Sequence, residues 1–319
     1  MGETVIKHSP VRIILKLLLF FIIVMAGAII ANAAVAIAIN VYYGVTLGNS
    51  SQATDAANAL LENIWVQAFT ALLQNAVFVI IALAFLRSDK EKFSLERFGL
   101  KFTADAPKRF LTGMGIDLVL FLSLVAIALL AGFATYQESG IAKFGLSSVA
   151  LSLAAMLIST LAVGFGEEFL FRGYLQRMLT NHYGIAIALP VAAGIFVLAH
   201  MLPYFLYGEF TLMAFIAIIP IALTLGYLFY RTGSLWICIG FHFLEDFMAV
   251  GVFFQGNMFS GTSPLVILSD PKPLLASVPW LGNWADATGF VVITIILLAI
   301  VAYYRRPGVQ TTAKTIAGN

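Results

Sequence analysis

Leu146 to Arg172 reads LSSVALSLAAMLISTLAVGFGEEFLFR, an apolar run that ends in two adjacent glutamates and an arginine. A membrane-spanning helix needs about 20 predominantly apolar residues, and Leu146 to Phe165 supplies them. Glu167 and Glu168 then stand where charge is expensive. A charged group at the bilayer centre costs about 2.5–3.5 kcal/mol on insertion scales, so such residues face a bundle interior, a partner or water, and they mark function. The stretch therefore predicts a membrane protein whose glutamates have partners on other helices.

The rest of the chain agrees. Of 319 residues, 61% are hydrophobic and 11% charged, and the mean hydropathy of +0.96 lies far above that of a soluble domain. A formal net charge of +2, with cations placed between apolar runs, speaks against a nucleic-acid partner. The single cysteine, Cys238, lies within an apolar run, so an intrachain disulfide and a cysteine metal cluster are both excluded.

Spanning segments are expected at about Ile13 to Val41, Leu60 to Leu86, Phe110 to Ala134, and Leu146 to Phe165 or beyond. Others follow at about Gly184 to Leu202, Phe210 to Tyr230, Leu235 to Phe254 and Phe290 to Tyr304. The first is longer than the roughly 7–15 residues of a signal-peptide core and lacks a cleavage site, so it reads as a retained helix. The fold class is all-α, a polytopic transmembrane helical bundle of about eight helices.

Basic residues orient it. Residues 87–109 hold seven Lys and Arg, whereas the connection from Gly44 to Ala59 has none, and Arg172, Arg177, Arg231, Arg305 and Arg306 fall on the same side as the basic loop. Both termini are then expected in the cytoplasm, in an integral membrane protein suited to a bacterial cytoplasmic membrane. The implied division is a cytoplasmic N-terminus (1–12), a three-helix region (13–134), a catalytic membrane domain (146–254), a loop and final helix (255–304) and a flexible cytoplasmic tail (305–319). The Gly-, Ser- and Pro-rich stretch Gln255 to Asn283 reads as a loop or re-entrant segment on the opposite face.

Candidate partners for the glutamates are His200, at the end of Phe196-Val-Leu-Ala-His, and His242, which opens His-Phe-Leu-Glu-Asp and ends at Asp246. Spacings of four place Glu168 over Arg172, Phe196 over His200 and His242 over Asp246, each pair on one helix face. If Thr180 to Tyr183 forms the turn of a helical hairpin, Glu167 and His200 both lie roughly 20–27 Å along their helices and face each other. A glutamate and two histidines converging in a water-accessible cavity suit general-base activation of water, with other donors on the oxyanion. Hydrolysis is the natural reaction class.

Glu167-Glu168-x-x-x-Arg172, Phe196-x-x-x-His200 and His242-x-x-x-Asp246, in this order, resemble the CPBP (CAAX protease and bacteriocin-processing) family of intramembrane proteases, which includes the type II CAAX prenyl endopeptidase. The resemblance covers about Leu146 to Phe254. It implies that Glu167 and His200 activate water, that His242 and Asp246 orient or stabilise the oxyanion, and that Glu168, Arg172 and Phe196 support the site. Eukaryotic CAAX enzymes carry Asn where this chain has Asp246, and an ionised Asp does not donate to an oxyanion. Asp246 is then protonated, orients His242, or ligates a metal.

A required cofactor is not expected. Zinc, if used, would be held by Glu167, His200, His242 and Asp246, although the His-Glu-x-x-His helix of many zinc proteases is absent. The expected partners are a membrane-associated peptide or protein substrate and the lipid bilayer. Two other classes fit the same residues: a proton-coupled transporter, since such groups also line proton pathways, and a catalytically silent scaffold or immunity protein. Singly, the residues have plainer readings. Glu168 with Arg172 is an interfacial ion pair, each histidine is a satisfied interior group, and Asp117, Gln74 and Asn75 make interhelical hydrogen bonds.

Overall fold

The computed structural model describes residues 10–48, 50–206, 212–253, 261–269 and 284–306. The chain is an all-α polytopic bundle. Among the described residues six helices are long and apolar enough to cross a membrane, and two shorter apolar helices, Ile185–Met201 and Thr288–Tyr304, accompany them. Large apolar side chains such as Val45 and Leu130 stand on the outside, as a hydrocarbon environment requires. The expected tail beyond residue 306, the first nine residues, and most of the 255–283 stretch lie outside the described residues.

Helix α1 (Pro10–Leu47) starts at a proline, whose fixed φ and missing N–H suit a first helical position. The expected second span, Leu60 to Leu86, is the helix α3 (Ile64–Ser88), and a separate short helix, α2 (Ser51–Leu61), precedes it. Ser50 accepts the Ala53 N–H and Asn63 accepts the Trp65 N–H, so each helix has its own N-cap. Part of the anticipated loop before Ala59 is thus helical.

After α4 (Ala106–Leu130) comes a feature not anticipated from sequence, the strand β1 (Thr135–Ser139), which pairs antiparallel with β2 (Val266–Ser269). A short α5 (Gly140–Phe144) then leads into α6 (Leu146–Glu168), a π-helical stretch (Phe169–Gln176) and α7 (Arg177–Tyr183). Together they make one 38-residue helical run, Leu146–Tyr183. Thr180 to Tyr183 therefore stays helical. The reversal falls on Gly184, whose φ of +75° is one that glycine adopts without a Cβ penalty. The second arm is α8 (Ile185–Leu206), followed by α9 (Leu212–Thr232), α10 (Leu235–Asp246), a second π-helical stretch (Phe247–Val252) and α11 (Trp284–Tyr304).

Small residues set how closely these helices approach, as is common in membrane bundles. A Cβ added at Gly113 of α4 would lie 2.0 Å from the Ile237 carbonyl oxygen, and one at Gly240 of α10 would lie 2.0 Å from that of Phe110. A Cβ at Gly164 of α6 would reach the Phe243 backbone nitrogen at 3.0 Å. Backbone thus lies against backbone, and α10 is held between α4 and α6.

At the basic end, polar contacts join the helix termini. Lys16 of α1 pairs with Asp89, whose other oxygen accepts from the Tyr174 hydroxyl at 2.9 Å. Arg177 reaches Glu91 at 2.9 Å, Arg109 donates to the Thr232 carbonyl at 3.1 Å, and the Leu235 N–H donates to Gly99 at 3.0 Å.

Candidate active site

The glutamate pair ends the regular part of α6. From Phe169 the helix widens to π geometry, a local change often found at functional sites. Because Gly164 lets α10 approach one turn earlier, Glu168 meets His242 across the interface. The His242 ring approaches Glu168 Oε1 through Nδ1 at 2.9 Å, and Arg172 donates to the same oxygen at 2.7 Å. Glu168 is fully buried, with 0% of its surface exposed.

Arg172 has further support. Its other guanidinium nitrogen donates to the Ala222 carbonyl of α9 at 3.3 Å, and its plane lies over the Phe196 ring at 4.3 Å. Phe196 also lies 4.3 Å from the His200 ring and 6.1 Å, edge-on, from the His242 ring. One aromatic side chain therefore fixes the angles of three polar groups.

His200 is oriented from its own helix. Nδ1 lies 2.8 Å from the Phe196 carbonyl oxygen. A carbonyl only accepts, so Nδ1 carries the proton, and neutral His200 presents Nε2 as an acceptor. That Nε2 lies 3.6 Å from Glu167 Oε2, and His242 Nε2 lies 3.9 Å from the same oxygen. Asp246 Oδ2 stands 3.7 Å from His242 Nε2. These distances exceed a direct hydrogen bond, and Glu167 Oε2 is buried without a hydrogen-bond partner among the described residues.

The structure thus brings Glu167, His200, His242 and Asp246 together, with Glu168, Arg172 and Phe196 beside them. Glu167 and His200, expected opposite each other across the hairpin, are neighbours. The link that sequence spacing did not reveal is Glu168 to His242, since it crosses two helices 74 positions apart. Of the three expected interhelical bonds, Gln74 makes one, accepting from Asn32 at 2.6 Å. Asn75 instead donates to Ala71 of its own helix at 2.9 Å, while its Oδ1 and both oxygens of Asp117 are buried and unpartnered among the described residues. Among those residues no group of three or more His, Cys, Asp or Glu side chains is arranged to hold a metal ion.

Residues 149–248 match the family model described as type II CAAX prenyl endopeptidase, Rce1-like. This segment belongs to the CAAX protease family. The match spans Glu167 to Asp246 and every polar group of the site. The likeness is to a family of membrane proteases and covers about a third of the chain. The helices that clamp the CAAX protease segment, α3 against α6 and α4 against α10, come from outside it. No curated protein and no solved structure matches the chain.

Proposed function

We propose that this chain is an intramembrane endopeptidase that hydrolyses peptide bonds of membrane-associated proteins or peptides with water activated by Glu167 and His200. The observation that carries this reading is the convergence on Glu167 Oε2 of His200 Nε2 at 3.6 Å and His242 Nε2 at 3.9 Å, the three side chains coming from three separate helices. Two of these atoms, Glu167 Oε2 and neutral His200 Nε2, are acceptors. A water between them donates to both and turns a lone pair towards a scissile carbonyl.

The chemistry then follows from this arrangement. Glu167 takes a proton as the water oxygen bonds to the carbonyl carbon, and the carbonyl π electrons move to oxygen. The resulting oxyanion accepts from His242 Nε2–H when that ring is doubly protonated, and donors aimed at developing charge supply the larger share of such catalysis. When the tetrahedral intermediate collapses, the C–N bond breaks and the proton held by Glu167 passes to the leaving amine. The Glu168 carboxylate holds His242 by Nδ1, so Nε2 faces the reacting centre. Asp246 Oδ2 flanks the same nitrogen at 3.7 Å.

The site lies about 10 Å along α10 from its basic end, within reach of a peptide anchored near that membrane face. We infer that this end is cytoplasmic, from the excess of Lys and Arg there. The test is cleavage of membrane peptides by the reconstituted protein and its Glu167→Ala, His200→Ala and His242→Ala variants. Wild type should cleave and all three should not; cleavage retained in all three overturns the reading.

A further inference from the structure

Residues 87–109 contain four acids, Asp89, Glu91, Glu96 and Asp105, and seven cations, yet the two kinds of charge do not face the same way. Asp89 and Glu91 turn inward, the first to Lys16 and Tyr174 and the second to buried Arg177. Glu96 is held by Lys101 at 3.5 Å. Arg87, Lys90, Lys92, Arg97 and Lys108 are exposed, and among the described residues their side chains meet no acid. A segment of mixed sequence thus presents a cationic outer surface, with Asp105 its one exposed acid outside an ion pair among the described residues.

The backbone builds this separation. Lys90 holds a φ of +59° at the end of α3, where its N–H donates to Arg87 and the next N–H, of Glu91, reaches back to Leu86. This is a helix stop in which glycine is usual. A non-glycine residue there is uncommon, and the lysine side chain gained by it points outward between two inward acids.

The same segment carries apolar groups suited to a bilayer surface. Phe102 is 77% exposed, and its ring lies 5.0 Å from that of Trp236, whose indole N–H donates to the Lys101 carbonyl. Phe93 is exposed beside Lys92. Aromatics interleaved with cations, between the ends of two spanning helices, match the composition of a membrane interface.

We propose that this segment binds the anionic phospholipid headgroups of the leaflet at the basic end, through Lys90, Lys92 and Arg97. Cations near an anionic membrane surface each strengthen association roughly fivefold. Since Phe93 and Phe98 pack on Phe169, the residue after Glu168, the lipid-bound segment also braces the helix that carries the glutamates.

The experiment uses the full-length protein in detergent, titrated with phosphatidylglycerol or phosphatidylcholine, with bound lipids counted by native mass spectrometry. The wild type should prefer phosphatidylglycerol, and the preference should fade at about 0.5 M salt. Lys90→Gln/Lys92→Gln/Arg97→Gln should lose ~100-fold in affinity for the anionic lipid with no change for the neutral one. Should the triple variant fail to fold, the single variants Lys92→Gln and Arg97→Gln carry the same test at roughly fivefold each.

Lys90→Gly separates structure from binding: it should raise the melting temperature without lipid, by relieving the positive φ, and still weaken phosphatidylglycerol binding. Wild-type lipid affinity in the triple variant, or in both singles, overturns the proposal. Equal binding of the two lipids also overturns it, as does displacement of the lipid by inorganic phosphate at millimolar concentration, which marks a site for soluble anions.

Discussion

His242 Nδ1 and Glu168 Oε1 lie 2.9 Å apart, and the oxygen also receives Arg172. The second glutamate of the pair is therefore shared between an arginine on its own helix and a histidine on another. His242 meets Glu168 through Nδ1, and its Nε2 is left for the reacting centre.

Glu168→Gln should keep the shape of this contact but weaken both charge-assisted bonds. By analogy with partners that orient metal-bound histidines, a fall in kcat of about 10–100-fold is expected, with KM nearly unchanged. Steady-state kinetics on a membrane peptide checks it; an unchanged kcat would mean that Glu168 does not position His242.

Glu168→Ala is expected to be harsher on the fold, because it strands the buried Arg172. Removing one partner of a buried ion pair typically costs about 3–5 kcal/mol. Adding Arg172→Met should restore most of the lost melting temperature, since the remaining cation is then gone. A double variant no more stable than the single one would contradict the pairing.

The α4–α10 contact has no room for a methyl group. Gly113→Ala brings a Cβ to 2.0 Å from a backbone carbonyl, and overpacking of this kind costs about 1–3 kcal/mol. Thermal unfolding in detergent should show a lowered Tm. An unchanged Tm would mean the two helices part without penalty.

How much of this was legible beforehand depended on the kind of signal. The apolar runs gave the spans because length and hydropathy act locally. The pairing of Glu167 with His200 was legible because both sit at similar distances from one hairpin. Glu168 to His242 was not, since it depends on α6 and α10 closing over Gly164, a tertiary matter that spacing does not encode. The β1–β2 pair was equally hidden, because two short segments about 130 residues apart carry no pairing signal of their own. Asn63 and Gly184 moved helix ends by a few residues through their local chemistry, an N-cap in one case and a positive φ in the other.

Asp117 inverts the usual expectation for a carboxyl group. It is 0% exposed and neither oxygen has a partner among the described residues. Replacing such a group by an apolar one of similar size is often neutral or stabilising. Asp117→Leu should therefore leave the Tm equal or higher; a clear fall would reveal a partner that the carboxyl meets in the membrane.

The most direct test of the central claim is the single-turnover cleavage rate of reconstituted Glu167→Gln, measured beside wild type, with melting temperatures taken on the same preparations. The amide keeps the size of Glu167 and removes its capacity to take a proton. A general base typically contributes about 10²–10⁴ in rate, so a loss of that size is predicted at unchanged Tm. A variant that folds as wild type and cleaves at the wild-type rate would contradict the account.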